Sequence, residues 1–214
     1  MEESTSRQKI LKRIRNALIE PNDQPFPLLD PDSEIYPELR DSLDIVFAEN
    51  LLEAGGKFIY LETEDEFPGV LKSFILDKDW PVLFCMDPVL QEMMKQAGIP
   101  YEQDPEKLLD AKIGITRCEK LIARFGSILV SSALNPGRKI VCYPEIHLVA
   151  GYTSQLVPEL KDALRGLRKS YGDRFPSLVS FITGPSRTAD IEKTLVMGAH
   201  GPVELYVFLI EDAR

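Results

Sequence analysis

The sequence predicts an α/β protein with a mostly parallel sheet covered on both faces. Three observations carry the prediction. Short apolar runs alternate with helical stretches through the first half of the chain, the pattern of successive β–α–β units. Glycine or proline punctuates the ends of these runs. Hydrophobic residues make up 44% and charged residues 28% of the 214 positions, the balance of an ordinary globular chain with enough apolar side chain for one large core.

The elements follow in order. Residues 7–19 place Ile10, Leu11, Ile14 and Leu18 at helical spacing, with basic residues on the other face. Pro21, Pro25, Pro27, Pro31 and Pro37 follow closely, which breaks helix and sheet alike. Residues 1–37 therefore read as a helical arm and an extended linker, and residues 38–214 as a single α/β domain. Such an arm is able to pack on a second copy, giving a homo-oligomer. Leu39–Ala54 has helical periodicity and stops at Gly55-Gly56. Lys57–Leu61 is a strand, Glu64–Leu76 a helix, Pro81–Cys85 a strand and Pro88–Ala97 a helix ending at Gly98. The middle section has short strand-like runs at Ala111–Thr116, Lys120–Ala123, Ser127–Ser132, Arg138–Cys142 and Ile146–Ala150, with turns at Gly126 and Pro136-Gly137. Ser154–Ser170 reads as an amphipathic helix with Leu156, Leu160, Leu164 and Leu167 inward. Leu178–Thr183 is a strand, Thr188–Val196 a short helix and Val203–Ile210 a last strand.

Charge and cysteine usage exclude several classes. The net charge of −9 disfavours general attraction to nucleic acid or an anionic membrane. No apolar run is long enough for a transmembrane helix, and the charged N-terminus lacks an apolar signal core, so the expectation is a cytoplasmic protein. Cys85, Cys118 and Cys142 are odd in number, widely spaced and set in or beside apolar runs. That pattern predicts buried free thiols rather than disulfides, a metal knuckle or an iron–sulfur ligand set, and no cofactor is expected.

Three stretches are candidates for chemistry. In the first, an apolar strand runs through Thr183 into Gly184-Pro185, followed by Ser186, Arg187, Thr188 and Asp190 at the predicted mouth of a helix. Free N–H groups and the dipole at a helix mouth favour an anion, hydroxyls add donors, and a guanidinium grips carboxylate or phosphate in a fork. It would also lie beyond the carboxyl end of a strand, where open α/β sheets bind ligands. The alternative is that Ser186 or Thr188 only caps the helix and Arg187 makes an ion pair. Second, Gly198-Ala-His-Gly-Pro202 is a tight loop whose His200 is a candidate proton carrier or anion donor, with Gly201 beside it. With only one short element between, the two loops are predicted to be close in space, and Glu204 is a candidate to orient His200. Third, Gly114–Ser127 offers Glu119 as a possible acid or base and Gly126-Ser127 as donors at a turn; the alternative is a hairpin with a wet polar face. His147 either faces a cleft or sits satisfied in the core. Two distant histidines without a third ligand make a metal site unexpected.

These stretches together resemble a known family. Thr183-Gly-Pro-Ser-Arg-Thr-Ala-Asp-Ile191 followed by Gly198-x-His-Gly-Pro202 is similar to the signature of the lactate-utilisation protein C family, the LUD domain. Gly114-Ile-Thr116 and Pro144-x-x-His147 fall in the family's order. The resemblance implies a three-layer α/β/α fold like that of the glucosamine-6-phosphate deaminase, ribose-5-phosphate isomerase and CoA-transferase group. It further implies a role in L-lactate oxidation, beside partner subunits that carry iron–sulfur clusters, with a small carboxylate or phosphate as ligand. The middle segment departs from the family pattern G-[IV]-T-x-A-D-x-A-I-A-E-T-G-T. Cys118 stands at a small-residue position, Glu119 at the aspartate, Arg124-Phe125 at the Glu-Thr pair and Ser127 at the last threonine. A free-standing enzyme acting on a sugar phosphate or acyl-CoA, and a non-catalytic interaction module, are the two other readings open to the sequence.

Overall fold

A computed structural model describes residues 5–19, 36–80, 82–134, 139–191, 194–198 and 200–212. The chain divides into two units, Met1–Glu38 and Leu39–Arg214. The first contains helix α1 (Ser6–Ile19); residues 20–35 of the proline-rich linker lie outside the described residues, as do Pro136-Gly137.

The second unit is an α/β fold on a six-stranded parallel sheet. Helix α2 (Leu43–Glu53) leads to β1 (Lys57–Leu61), α3 (Glu66–Asp77), β2 (Leu83–Cys85), α4 (Pro88–Gln96) and β3 (Tyr101–Glu102). Then come β4 (Ile113–Arg117), β5 (Lys120–Ile122), β6 (Ser127–Ser131), β7 (Ile146–Tyr152), β8 (Leu156–Val157) and α5 (Leu160–Tyr171). The chain finishes with β9 (Val179–Ile182), β10 (Arg187–Ile191), β11 (Thr194–Met197) and β12 (Glu204–Ile210). The parallel sheet has the order β1-β12-β7-β4-β2-β3. A smaller sheet, β8-β5-β6-β9, mixes one parallel pair with two antiparallel pairs.

The side-chain alternation of each strand assigns the two faces. Ile113, Ile115, Leu148, Phe208 and Ile210 pack with Phe67 and Leu71 of α3 and Leu90 and Met94 of α4. On the other face Val149, Leu205, Val207 and Leu209 meet Phe47 and Leu51 of α2 and Leu121, Ile128 and Val130 of the small sheet. Ile122 and Leu129, on the outer side of that sheet, receive Ala163 and Leu167 of α5. Burial on both faces is why Leu205–Ile210 is an unbroken apolar run. Local chemistry fixes the helix ends. Asp87 caps α4 by accepting from the N–H groups of Val89 (2.9 Å) and Leu90 (3.4 Å), with Pro88 opening the helix. At Gly55 the backbone turns left-handed (φ +86°) and stops α2.

Several elements differ from the sequence reading. The predicted helix over Thr188–Val196 is the antiparallel pair β10–β11, with Thr188 opposite Val196. Thr188, Ile191, Thr194 and Val196 are β-branched, and such residues lose rotamer freedom in a helix and fit a strand. Helix α5 begins at Leu160, not at Ser154. Pro158 cannot sit inside a helix, and Leu156-Val157 before it pairs with Leu121-Ile122. The buried face of α5 is accordingly Ala163 and Leu167, while Leu160 and Leu164 are 39% and 40% exposed. Helix α2 starts at Leu43 rather than Leu39, because Ser42 is extended (φ −61°, ψ 150°). Within the predicted Arg138–Cys142 strand, the described residues 139–142 form turns.

Candidate functional site

The two C-terminal loops come together as the sequence reading expects. The Ser186 N–H donates to the Pro202 carbonyl (2.8 Å), and the Gly198 N–H donates to the Ser186 carbonyl (3.0 Å). Gly201 packs so closely on Ser186 that a β-carbon there would lie 3.0 Å from Ser186 Cβ and 3.3 Å from its Oγ. These two ties flank His200, which is exposed and lines a cleft of about 430 Å³. Cys142, Tyr143, Glu145, Gly198, Gly201 and Val203 complete its lining. The Glu145 carbonyl holds the opposite wall by accepting from the N–H groups of Val203 (2.7 Å) and Glu204 (3.2 Å).

The helix-mouth expectation for Gly184–Thr188 is overturned. The turn enters strand β10, so no helix dipole faces a ligand there. Nor does it follow a strand of the parallel sheet: β9 belongs to the small sheet. The cleft instead opens at the amino ends of β7 and β12, next to Ile146 and Glu204. At the carboxyl ends of the parallel strands polar groups are tied to one another. Arg117 pairs with buried Asp87 (2.8 Å), the Tyr152 hydroxyl donates to Glu64 (2.6 Å), and the Ser154 hydroxyl donates to Asp212 (2.6 Å).

Gly184, Arg187 and Gly126 converge on a different feature, the C-terminal half of α2. Gly184 is left-handed (φ +75°), and a β-carbon there would lie 2.2 Å from the Ala54 carbonyl oxygen. Arg187 donates from Nη2 to that same carbonyl (2.5 Å). A cation at the negative end of a helix is stabilising, so Arg187 acts as a long-range cap. Arg187→Ala is expected to lower the urea midpoint by the equivalent of about 1 kcal/mol. Because Arg187 is not among the residues lining the cleft, ligand-induced melting shifts should survive the substitution. If Arg187→Ala left the midpoint unchanged, the capping role would be wrong.

The other candidates are placed as follows. Thr183 and Ser127 meet across β6–β9, their hydroxyl oxygens 2.6 Å apart. Thr188 and Asp190 lie on β10, with the Asp190 side chain outside the described part. Glu119 does not line the cleft; it accepts from the hydroxyls of Ser131 and Tyr171. The charge reversal at Arg124 is answered inside the chain, since Arg124 pairs with Glu159 (2.5 Å). Glu204 does not orient His200. It pairs with Lys57 and accepts from the Tyr206 hydroxyl, and these two partners hold its carboxyl below the usual range. His147 is a core residue, fully buried, with Nε2 2.9 Å from the Thr116 hydroxyl and no partner at Nδ1 among the described residues. Burial pushes its imidazole down to about 4.

Sequence reasoning misses Cys142, Tyr143 and Glu145, because it reads the first as the end of a strand and singles out only His147 beyond it. Cys85 and Cys118 are buried as expected, but Cys142 is exposed. The signal lies in the polar Tyr-Pro-Glu preceding an apolar strand, the composition of a loop that leads into a sheet. Among the described residues no three His, Cys, Asp or Glu side chains group as a metal site, and no helix is long and apolar enough to cross a membrane.

This chain is similar to known proteins. The family model of the LUD domain matches residues 46–210. Lactate utilization protein C of Halalkalibacterium halodurans is 37% identical over 109 residues, which is 50% of this chain and 47% of that protein. Lactate utilization protein C of Bacillus licheniformis is 28% identical over 191 residues, 86% of this chain and 77% of that protein. The chain thus spans about half the length of the first relative and more of the second. A solved structure of a DUF162 family protein from Deinococcus radiodurans superposes with a TM-score of 0.60 at 17% identity, covering 81% of this chain and 99% of that one. At that identity the likeness concerns the fold alone.

Proposed function

The chain belongs to the LUD domain family, and we propose that it serves L-lactate utilisation by binding a small hydroxy-carboxylate in the cleft beside His200. The observation that carries the reading is the lining of the cavity by Gly198, His200 and Gly201, in a signature loop tied by backbone hydrogen bonds to Ser186, with an exposed imidazole at its edge. The relatives named for lactate utilisation support the biological setting. The chemistry of the cleft is two-signed. His200 is a donor for a carboxylate, and the Glu145 carboxylate is an acceptor for a hydroxyl, so the pair suits a 2-hydroxy acid better than a simple anion. A phosphate dianion would bring more like charge against Glu145 than a monocarboxylate does. In this reading the chain is a cytoplasmic, cluster-free subunit that works with iron–sulfur partner subunits, and its arm packs on a second copy.

Two measurements test the reading. In a thermal melt, L-lactate is expected to raise the midpoint, and His200→Ala to abolish the shift while leaving the unliganded midpoint within about 1 °C, as for an exposed loop side chain. Cells deleted for the gene are expected to grow poorly on L-lactate and normally on glucose. Undiminished growth on L-lactate, together with a flat melt, would end the proposal.

A further inference from the structure

Two helices turn an apolar stripe to solvent, and their charges are opposite. In α1, Ile10, Leu11 and Ile14 recur at helical spacing and are 58%, 45% and 50% exposed. Helical spacing sets Lys9 and Arg13 on one flank of this stripe and Arg15 on the other. Ser6–Ile19 holds no acidic residue. In α2, Phe47 and Leu51 are buried in the core, which turns Ile45, Ala48 and Leu52 outward. Ile45 and Leu52 are 50% and 55% exposed. Asp44 stands on one flank of this second stripe, Glu49 and Glu53 on the other, and Leu43–Glu53 holds no basic residue.

We infer that the two stripes meet between copies: α1 of one chain docks on the outward face of α2 of a second, and the contact is reciprocal. This rests on the reading of the arm as the contact to a second copy. Charge complementarity selects the surface. A basic helix on the outward face of α2 sets cations beside carboxylates on both flanks of an apolar seam, and the small Ala48 lets the helices approach closely. Pairing like with like fails, because α1 on α1 sets cation against cation and α2 on α2 sets carboxylate against carboxylate. The sequence favours a second copy over the same chain. Helices that pack as neighbours within a chain are commonly joined by about 2–8 residues. Ile19 and Leu43 stand much further apart, and Pro21, Pro25, Pro27, Pro31 and Pro37 between them favour an extended connection over a hairpin. Both stripes are also exposed in the single chain. A reciprocal contact about a twofold axis occurs twice per dimer, which brings short helices toward the roughly 1,200 Å² of a stable interface.

The test uses the full chain. Sedimentation velocity is expected to show a dimer. Lys9→Glu with Arg13→Glu should weaken it about tenfold, Glu49→Lys with Glu53→Lys should do the same, and all four substitutions together should restore it. These side chains are exposed, so each variant is expected to keep a cooperative melt. A carbodiimide, which joins amines to carboxylates at contact distance, is then applied after unlabelled and ¹⁵N-labelled samples have been diluted together and reconcentrated. Peptide pairs linking Lys9 or Lys12 to Asp44, Glu49 or Glu53 are expected in isotopically mixed form. Pairs of a single isotope would seat the arm on its own chain and overturn the inference. A dimer indifferent to the charge reversals, or one whose arm is linked to another surface, overturns it and leaves the arm's role in dimerisation intact. A monomer throughout ends both. None of these outcomes bears on the L-lactate melting shift, because none of the substituted residues lines the cleft.

Discussion

Gly126→Ala is expected to cost the domain about 4 kcal/mol and to lower its melting temperature by roughly 10 °C. Gly126 is left-handed (φ +57°, ψ 32°), a conformation that itself costs a side chain roughly 1 kcal/mol. The larger part comes from helix α2. A β-carbon at 126 would lie 2.2 Å from Leu51 N, 2.5 Å from Asn50 C and 2.6 Å from Leu51 Cα, all of them backbone atoms. Backbone cannot swing aside as the end of a long side chain can. The approach is also held from the other side, where Asn50 Nδ2 donates to the Ala123 carbonyl (3.0 Å). To make room, α2 must withdraw, and it carries Phe47 and Leu51, both fully buried, out of the core with it. Gly184→Ala, 2.2 Å from the Ala54 carbonyl oxygen, should act in the same direction. Gly69 provides the contrast. It lies within α3, and a β-carbon there would meet nothing within 4 Å, so Gly69→Ala is expected to stabilise by about 0.5–1 kcal/mol. Thermal melts of the three variants decide the matter. A Gly126→Ala protein melting within a few degrees of the parent would show that α2 and the Gly126 turn are not rigidly joined.

That joint also explains what can be read in the chain and what cannot. The closing run to Ile210 is legible because burial on both faces demands consecutive apolar residues, and Gly55-Gly56 marks the end of α2 correctly. The closeness of Ser186 to the Gly198–Pro202 loop is legible from the short stretch of chain between them. Arg187 reads as a ligand-gripping residue because its partner, the Ala54 carbonyl, stands 133 positions away. No local pattern announces a cap delivered from so far along the chain. Strand β10 passes for a helix only when the Gly-Pro-Ser-Arg-Thr turn is given more weight than the β-branched residues after it. The start of α5 is misplaced when Pro158 is passed over, although its meaning is local. The cleft is the hardest feature to foresee. Its two walls come from the turn before β7 and the loop before β12, neighbours only because these strands pair in the sheet.

Acid is expected to destabilise the domain between about pH 6.5 and pH 4, through His147. Its imidazole is fully buried on β7, and burial lowers it from 6.5 to about 4. Within that window the unfolded chain binds a proton at His147 and the folded chain does not. Stability therefore rises with pH across the window, is complete above it, and is lost progressively as pH falls through it. The full effect is about 3 kcal/mol, from 1.36 kcal/mol per unit. Glu204 is held low by Lys57 and loses its contribution only below its ordinary value of 4.5, so the two effects separate on the pH axis. Urea titrations at pH 7.5, 6.0 and 5.0 measure the slope. His147→Gln should be less stable at pH 7.5, because the Thr116 hydroxyl loses its imidazole partner, yet its stability should change less between pH 7.5 and 5.0. The slope is the diagnostic, since a packing defect alone lowers the curve without flattening it. Equal slopes in the two proteins would mean that His147 takes up its proton without unfolding, through an opening of the Lys139–Glu145 turn. That turn covers this face of the sheet: Gly114, the register partner of His147, lies against Ile140 and Pro144. Opening it would join the buried imidazole to the wall that carries Cys142, and acid would then act on the cleft before it acts on the fold.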